Sequence, residues 1–234
     1  MTMELYVINL DRRTDRLARF QEAFASRGLL VTRVSAVDGR RLALPETSLL
    51  HANIIAVNLS HERAIEEFLS SGANYCAIFE DDAVPTRRSP ANLLPLLEEL
   101  VVRMQDHNID LLQIGHISSI YSFANRQGLT YPLLQFVLGS RRVRVKVLSQ
   151  FLTIHKNQFR SGTHAYILSR ETALALRGTN NPPVFVIDDF LEYVALANIN
   201  QRKARLNFAT LNRSLFEQES SLTSKAKDSD SKEI

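Results

Sequence analysis

YCAIFEDDAVP, residues 75–85, carries an apolar run into three consecutive carboxylates, Glu80, Asp81 and Asp82, and stops at a proline. An apolar run of this length, bounded by turn signals, reads as a strand buried on both faces. Upstream, HERAIEEFLSSG (61–72) sets Ile65, Phe68 and Leu69 on one stripe and closes on Gly72. Asn58 or Ser60 stands where a cap is needed, which predicts a helix with Ser60 and His61 at its start. Further back, ELYVINL (4–10) reads as a strand and DRRTDRLARFQEAFASRG (11–28) as a helix with Leu17, Phe20 and Phe24 turned inward. LLVTRVSAVDG (29–39) reads as a second strand closed by an Asp-Gly turn. Downstream, a helix over 91–105 and a buried strand over 110–115 follow. This alternation predicts an α/β fold, a Rossmann-like, mixed but mainly parallel sheet flanked by helices. In such sheets ligands collect at the carboxyl ends of strands, where the three acids stand.

Three adjacent acids repel one another unless a cation or several donors compensate them. In an extended conformation Glu80 and Asp82 point to one side and Asp81 to the other. Oxygen-only ligation of this kind suits Mg or Mn bridged to the phosphates of a substrate. The plainer alternative is a solvated acidic turn after a strand, but a proline turn at Pro85 and the apolar run before Glu80 place the cluster at the top of a central strand, where a ligand is expected.

At 234 residues and 45% hydrophobic side chains, the chain is long enough for one sizeable core. No stretch of roughly 18 uncharged apolar residues suggests a membrane span, and LYVINL at 5–10 is too short for a secretory signal. A single cysteine, Cys76, forms no internal bridge and fits a reducing, cytoplasmic setting. The net charge of +3 is mildly basic, but without aromatic-interleaved basic stripes it argues against a nucleic-acid partner. In RRVRVKV (141–147), Val143, Val145 and Val147 alternate with Arg142, Arg144 and Lys146, placing valines on one face and cations on the other. That strand and the uncharged QGLTYPLLQFVLGS (127–140) before it can line an acceptor cleft or rest on an anionic membrane. An ordinary edge strand protected by its cations explains the same pattern. The segment from 219 to 234 is polar and serine-rich, which predicts a mobile tail behind a single domain over 1–218.

Several ordered blocks, YVINLDRRTDR (6–16), LSHERAIEEF (59–68), AIFEDDA (77–83), SGTHAYILSRETA (161–173), VIDDFL (186–191) and SLFEQESSLTS (214–224), resemble glycosyltransferase family 25. That family contains bacterial lipooligosaccharide galactosyltransferases and the related domains of collagen galactosyltransferases. The resemblance implies a GT-A type fold and a UDP-sugar donor, galactose before glucose. It further implies inversion at the anomeric carbon, a divalent cation (Mn or Mg), and a saccharide or lipooligosaccharide acceptor. The chain departs from the pattern at Ala56 and Val57, where the family often carries Gly-Cys before its Ser-His.

Asn9, Arg12 and Arg16 follow the first strand, where an arginine suits phosphate recognition. Ser60 and His61 read equally as a helix cap with a surface residue, or as donor-site groups at an anion-binding helix start, and the family block favours the second. Glu80 and Asp81 are donor-side candidates, and Asp82 with Glu80 the metal ligands, in the place of the DXD motif of such enzymes. His164, after the Ser-Gly turn at 161–162, is a candidate for substrate binding, although a buried hydrogen-bonded histidine is the commoner fate. Asp188 matches the family's acidic position in VIDDFL, and an inverting transfer needs a carboxylate near the acceptor hydroxyl, which makes it the expected general base. A metal-dependent phosphohydrolase and a noncatalytic nucleotide-sugar-binding module are the rival readings.

Overall fold

β1 (Met3–Asn9), β3 (Tyr75–Glu80) and β8 (Ala165–Ser169) are neighbours in the sheet, and most residues of each are buried. Such strands need apolar side chains on both faces because helices cover both. In this computed structural model, which describes residues 2–44, 48, 50–87, 89–117, 141–156, 158–200 and 206–219, β2 (Thr32–Ser35) lies outside β1. Beyond β8 come β5 (Leu111–Gly115), β9 (Phe208–Leu211), β7 (Gln150–Lys156) and β6 (Arg142–Val147). β4 (Ala83–Pro85) and β10 (Phe216–Gln218) form a short side branch, β10 pairing with both β4 and the end of β5.

Alternation along the strands sorts the core into two layers. Leu5, Val7, Ala77, Phe79, Leu112 and Ile114 face α1 (Thr14–Ala25) and α3 (Leu94–Asp106), where Phe20, Phe24, Leu96 and Leu100 pack. Tyr6, Ile8, Cys76, Ile78, Tyr166 and Leu168 face α2 (Ala52–Ser71), α4 (Arg170–Leu176) and α5 (Ile187–Asn200). The first layer is pinned by aromatic contacts, Phe24 to Phe79 at 4.9 Å edge-on and Phe79 to Phe216 at 5.1 Å, so β10 is packed into the core.

The sheet is mixed, with more antiparallel pairings than the alternation of strands and helices leads one to expect: β3–β8, β5–β8, β7–β9, β6–β7 and β4–β10 are all antiparallel. Its parallel character belongs chiefly to β2–β1–β3 and to β5–β9, whereas β8 runs antiparallel to both β3 and β5. The apolar pattern of AYILS is the same for either strand direction, so direction is not written in it.

Two local expectations change. The chain turns at Asp81–Asp82, and Pro85 lies inside β4, opposite Phe216. Among the described residues β4 pairs only with β10, so a residue without an amide hydrogen is tolerated there. α2 begins at Ala52 behind His51, so Ser60 and His61 sit in mid-helix and offer no free amides. ANIIAVNL contains neither glycine nor proline to stop the helix, and Asn58 turns its side-chain amide back to the Ile54 carbonyl at 2.9 Å.

On β6 the cations Arg142, Arg144 and Lys146 are exposed while Val145 and Val147 are buried. No helix among the described residues is long and apolar enough to cross a membrane. The uncharged stretch 127–140 and residues 220–234 of the expected tail lie outside the described residues. Glu219, counted with that tail, is tied down: its amide donates to the Asp82 carbonyl at 2.8 Å and its carboxylate meets Arg19 at 3.5 Å.

Candidate active site

At the carboxyl ends of β1 and β3 a cleft opens between the β1–α1 loop, the β2 exit and the flank of α2, with about 870 Å³ of space including its open mouth. Arg12, Arg16, Asp38, Ser60, His61, Glu80, Asp81 and Asp82 line it, with Ala36, Val37, Ala56 and Val57 as its apolar wall. The mixed lining suits a polar ligand with one apolar part.

The three acids have three different environments, because the turn after Glu80 fans them apart. Glu80 accepts a 2.7 Å hydrogen bond from the Thr163 hydroxyl, and the same oxygen lies 3.6 Å from His61 Nε2, beyond a hydrogen bond. Burial pushes the Glu80 carboxyl up, but the His61 ring and the Thr163 hydroxyl outweigh burial and hold it below its ordinary value. Asp81 accepts from Asn9 Nδ2 at 2.7 Å and from Arg16 Nη1 at 3.3 Å, yet burial still raises it. Asp82 is pushed up to about 8 by burial and then by the charges of Glu80 and Asp81, and its Oδ1 is buried with no hydrogen-bond partner. The least compensated carboxyl is therefore the one that would accept a cation.

Among the described residues no three His, Cys, Asp or Glu side chains make a ready-built metal cage. Mg and Mn do not need one, since they bind through one or two carboxylates, waters and substrate phosphates. Asp82, with its orphaned oxygen, and Glu80 beside it fit that requirement.

Other candidates fall in three groups. Arg12 is held by Asp38 at 3.1 Å and Arg16 by Asp81, so both guanidinium groups are fixed at the cleft. Asn9 is buried behind Asp81 and also donates to the Arg13 carbonyl at 3.0 Å, so it orients the carboxylate from below. Ser60 accepts from the Val37 amide at 2.9 Å and donates to the Ala56 carbonyl at 2.6 Å, which ties α2 to the loop after β2. His61 Nδ1 meets the Tyr166 hydroxyl at 2.9 Å, leaving Nε2 toward Glu80.

His164 does not reach the cleft. Its ring is fully buried, its Nε2 contacts the Phe216 carbonyl at 3.0 Å, and burial lowers its pKa. Its backbone carbonyl accepts from the Glu80 amide at 3.0 Å, so it supports the cluster through the main chain.

Asp188 lies in the first turn of α5, outside the cleft lining, and accepts the Gly162 amide at 2.7 Å. Burial first, and the charge of Glu80 after it, push its carboxyl up to about 6 against the Gly162 and Thr163 hydrogen bonds. Gly162 adopts φ of +101°, open to glycine, and a Cβ there would stand 3.1 Å from the Ile117 amide. Gly162 and Thr163 thus grip carboxylates from α5 and β3 with consecutive residues. Asp38, Thr163, Tyr166 and Gln218, at or beside the cleft, carry no periodicity by which sequence alone would single them out.

Among solved structures the chain is similar to a glycosyltransferase involved in the glycosylation of the major capsid of PBCV-1, at 12% identity and TM-score 0.49, covering 97% of this chain and 96% of that one. It is also similar to A197 from STIV, at 13% identity and TM-score 0.44, covering 92% and 83%. At these values the likeness bears on neither activity nor substrate. No curated protein matches the chain. Residues 2–191, which hold the carboxylate-ended strand, the Ser60–His61 helix and Asp188, match the model of glycosyltransferase family 25 (LPS biosynthesis protein), and the chain belongs to that family of glycosyltransferases.

Proposed function

We propose that the protein transfers a hexose, galactose before glucose, from a UDP-sugar to a saccharide acceptor with inversion, in lipooligosaccharide or other surface-glycan synthesis. One observation carries this reading: a single loop, Gly162–Thr163, hydrogen-bonds both Asp188 and the first acid of a carboxylate trio in a cleft that also holds two fixed arginines. Asp82, with Glu80, would hold a Mn or Mg ion, which supplies positive charge to the donor diphosphate when bound. Arg12 and Arg16 stand beside the cleft to meet the charge that develops on the departing nucleotide. Asp188 takes the proton of the acceptor hydroxyl as its oxygen bonds to the anomeric carbon and the bond from that carbon to the phosphate oxygen breaks. Gly162 fixes one Asp188 oxygen, so the carboxylate is oriented before the acceptor arrives.

A donor panel with Mn or Mg, scoring nucleotide release with and without candidate oligosaccharides, tests the reading. Acceptor-dependent release of UDP supports it; release of phosphate without any acceptor replaces it with hydrolysis, and binding without turnover replaces it with a binding module. Full turnover in a chelator-treated preparation would remove the metal from the mechanism.

The base assignment also fixes a pH dependence. Asp188 works only when ionised, and its carboxyl is raised to about 6. At saturating Mn, where the cation keeps Asp82 ionised, activity is therefore expected to fall about tenfold per unit below that pH, with a plateau above it. A kcat profile flat down to pH 4.5 would exclude Asp188 as the titrating base.

The cations of β6 extend the reading to the site of action. Arg142, Arg144 and Lys146 share the outward face, and Arg144 lies over the Phe151 ring at 4.5 Å with that ring 60% exposed. Each cation near anionic lipid is worth about 1 kcal/mol, so three support reversible, salt-sensitive association at the inner face of the cytoplasmic membrane. Changing all three to Ser is expected to weaken capture by phosphatidylserine vesicles at low salt while sparing UDP-sugar turnover. Equal capture by mutant and parent would return β6 to the role of a charge-protected edge.

A further inference from the structure

Gln113 in β5 is fully buried, and its side-chain amide spends its whole hydrogen-bonding capacity. Nε2 donates to the carbonyls of Arg160 at 2.7 Å and Gly162 at 2.6 Å. Oε1 accepts from the Arg160 amide at 2.8 Å and from the Thr210 hydroxyl of β9. This network admits one orientation of the amide, since a flipped group would set its NH₂ against the Arg160 amide and its oxygen against two carbonyls. The segment so held is the one whose next groups, the Gly162 amide and the Thr163 hydroxyl, bond Asp188 and Glu80. β5 lies one strand beyond β8 and Gln113 is fully buried, so the anchor is built into the sheet interior.

We propose that Gln113 is a positioning residue for transfer: from the sheet interior it fixes the 160–163 loop, and through that loop sets Asp188 relative to Glu80. The inference rests on the reading of Asp188 as base and Glu80 as a donor-side carboxylate. A buried amide with four satisfied bonds is costly to replace, and a valine or leucine would hold a strand core as well. What the amide adds is a fixed loop position, and a misplacement of about 1 Å can cost 10²-fold in rate. Gly162 takes part because its backbone offers a carbonyl to Gln113 and an amide to Asp188 from one residue.

The test uses Gln113→Met, which keeps volume and removes all four bonds, and Thr210→Val, which removes only the outermost and guards against a first variant that fails to fold. Gln113→Met is expected to lower kcat about 10²-fold with donor KM little changed. Thr210→Val should show the same split to a smaller degree. Placed in a Thr163→Val background, either change should lose most of its effect, because both act through one loop. Hydrogen exchange supplies a readout independent of turnover: peptides covering 159–165 should lose protection while those of α3 keep theirs. Parental kcat per folded molecule, additive behaviour with Thr163→Val, or unchanged exchange over 159–165 in both variants would each overturn the proposal. A parent protein that turns over no donor, yet shows the local exchange change, would retain the anchoring and remove the catalytic reading alone.

Discussion

Asp82→Asn is expected to lower transfer by three orders of magnitude or so while making the metal-free protein more stable. The two effects have one cause. Asp82 sits at the turn after β3 with its Oδ1 buried and unpartnered, and burial with the Glu80 and Asp81 charges raises its carboxyl from 3.8 to about 8. A carboxyl whose pKa is higher in the folded state binds its proton more tightly there. Its contribution to stability is full below about pH 4, where both states are protonated, and is lost as pH rises toward about 8. At pH 7 the neutral amide should recover roughly 2–4 kcal/mol, or about 5–10 °C in Tm. Thermal melts with chelator at pH 5 and pH 8 measure this: the parent should weaken between the two and the variant much less. Adding Mn should stabilise the parent more than the variant. A variant with parental turnover, or one less stable than the parent at pH 8, would show that Asp82 is neither the cation's ligand nor the strained member of the trio.

Asp188→Asn is expected to cut kcat by about 10²–10⁴-fold with little change in donor affinity. The substitution separates two roles that the geometry combines. An asparagine oxygen can still accept the Gly162 amide that Asp188 accepts at 2.7 Å, so the tie between α5 and the 160–163 loop survives. Proton acceptance does not survive. Steady-state kinetics with saturating donor, alongside titration of UDP binding, distinguishes the roles. Normal kcat with weakened UDP binding would make Asp188 a donor-side group, and normal values of both would leave it a tether between α5 and the loop.

Much of the candidate site is legible in the sequence. Arg12 and Arg16 after β1 and Glu80 to Asp82 at the end of β3 line the cleft, where the open-sheet rule puts residues at strand ends. His164 does not follow that rule, because its ring turns into the core, where the Phe216 carbonyl of β10 captures it. Ser60 fails as a cap because the helix has no stop signal upstream of it, and its hydroxyl serves Val37 and Ala56 instead.

The sequence by itself determined the strand–helix alternation of residues 4–115, apart from the start of α2 and the strand β4, together with the two-faced burial of the centre and the presence of three acids at a strand end, but not β7, β9 or β10. Those follow from local pattern: apolar runs, helical stripes and turn residues act over a few positions. Only the tertiary structure decided the antiparallel setting of β8, the fanning of Glu80, Asp81 and Asp82 toward different partners, and the loop joining Asp188 to Glu80. Those partners lie far apart in the chain, Gly162 26 residues from Asp188, Asn9 72 from Asp81 and Thr163 83 from Glu80. A carboxylate's charge state depends on burial and on which donors the fold brings within about 3 Å, and neither is a property of its sequence neighbours.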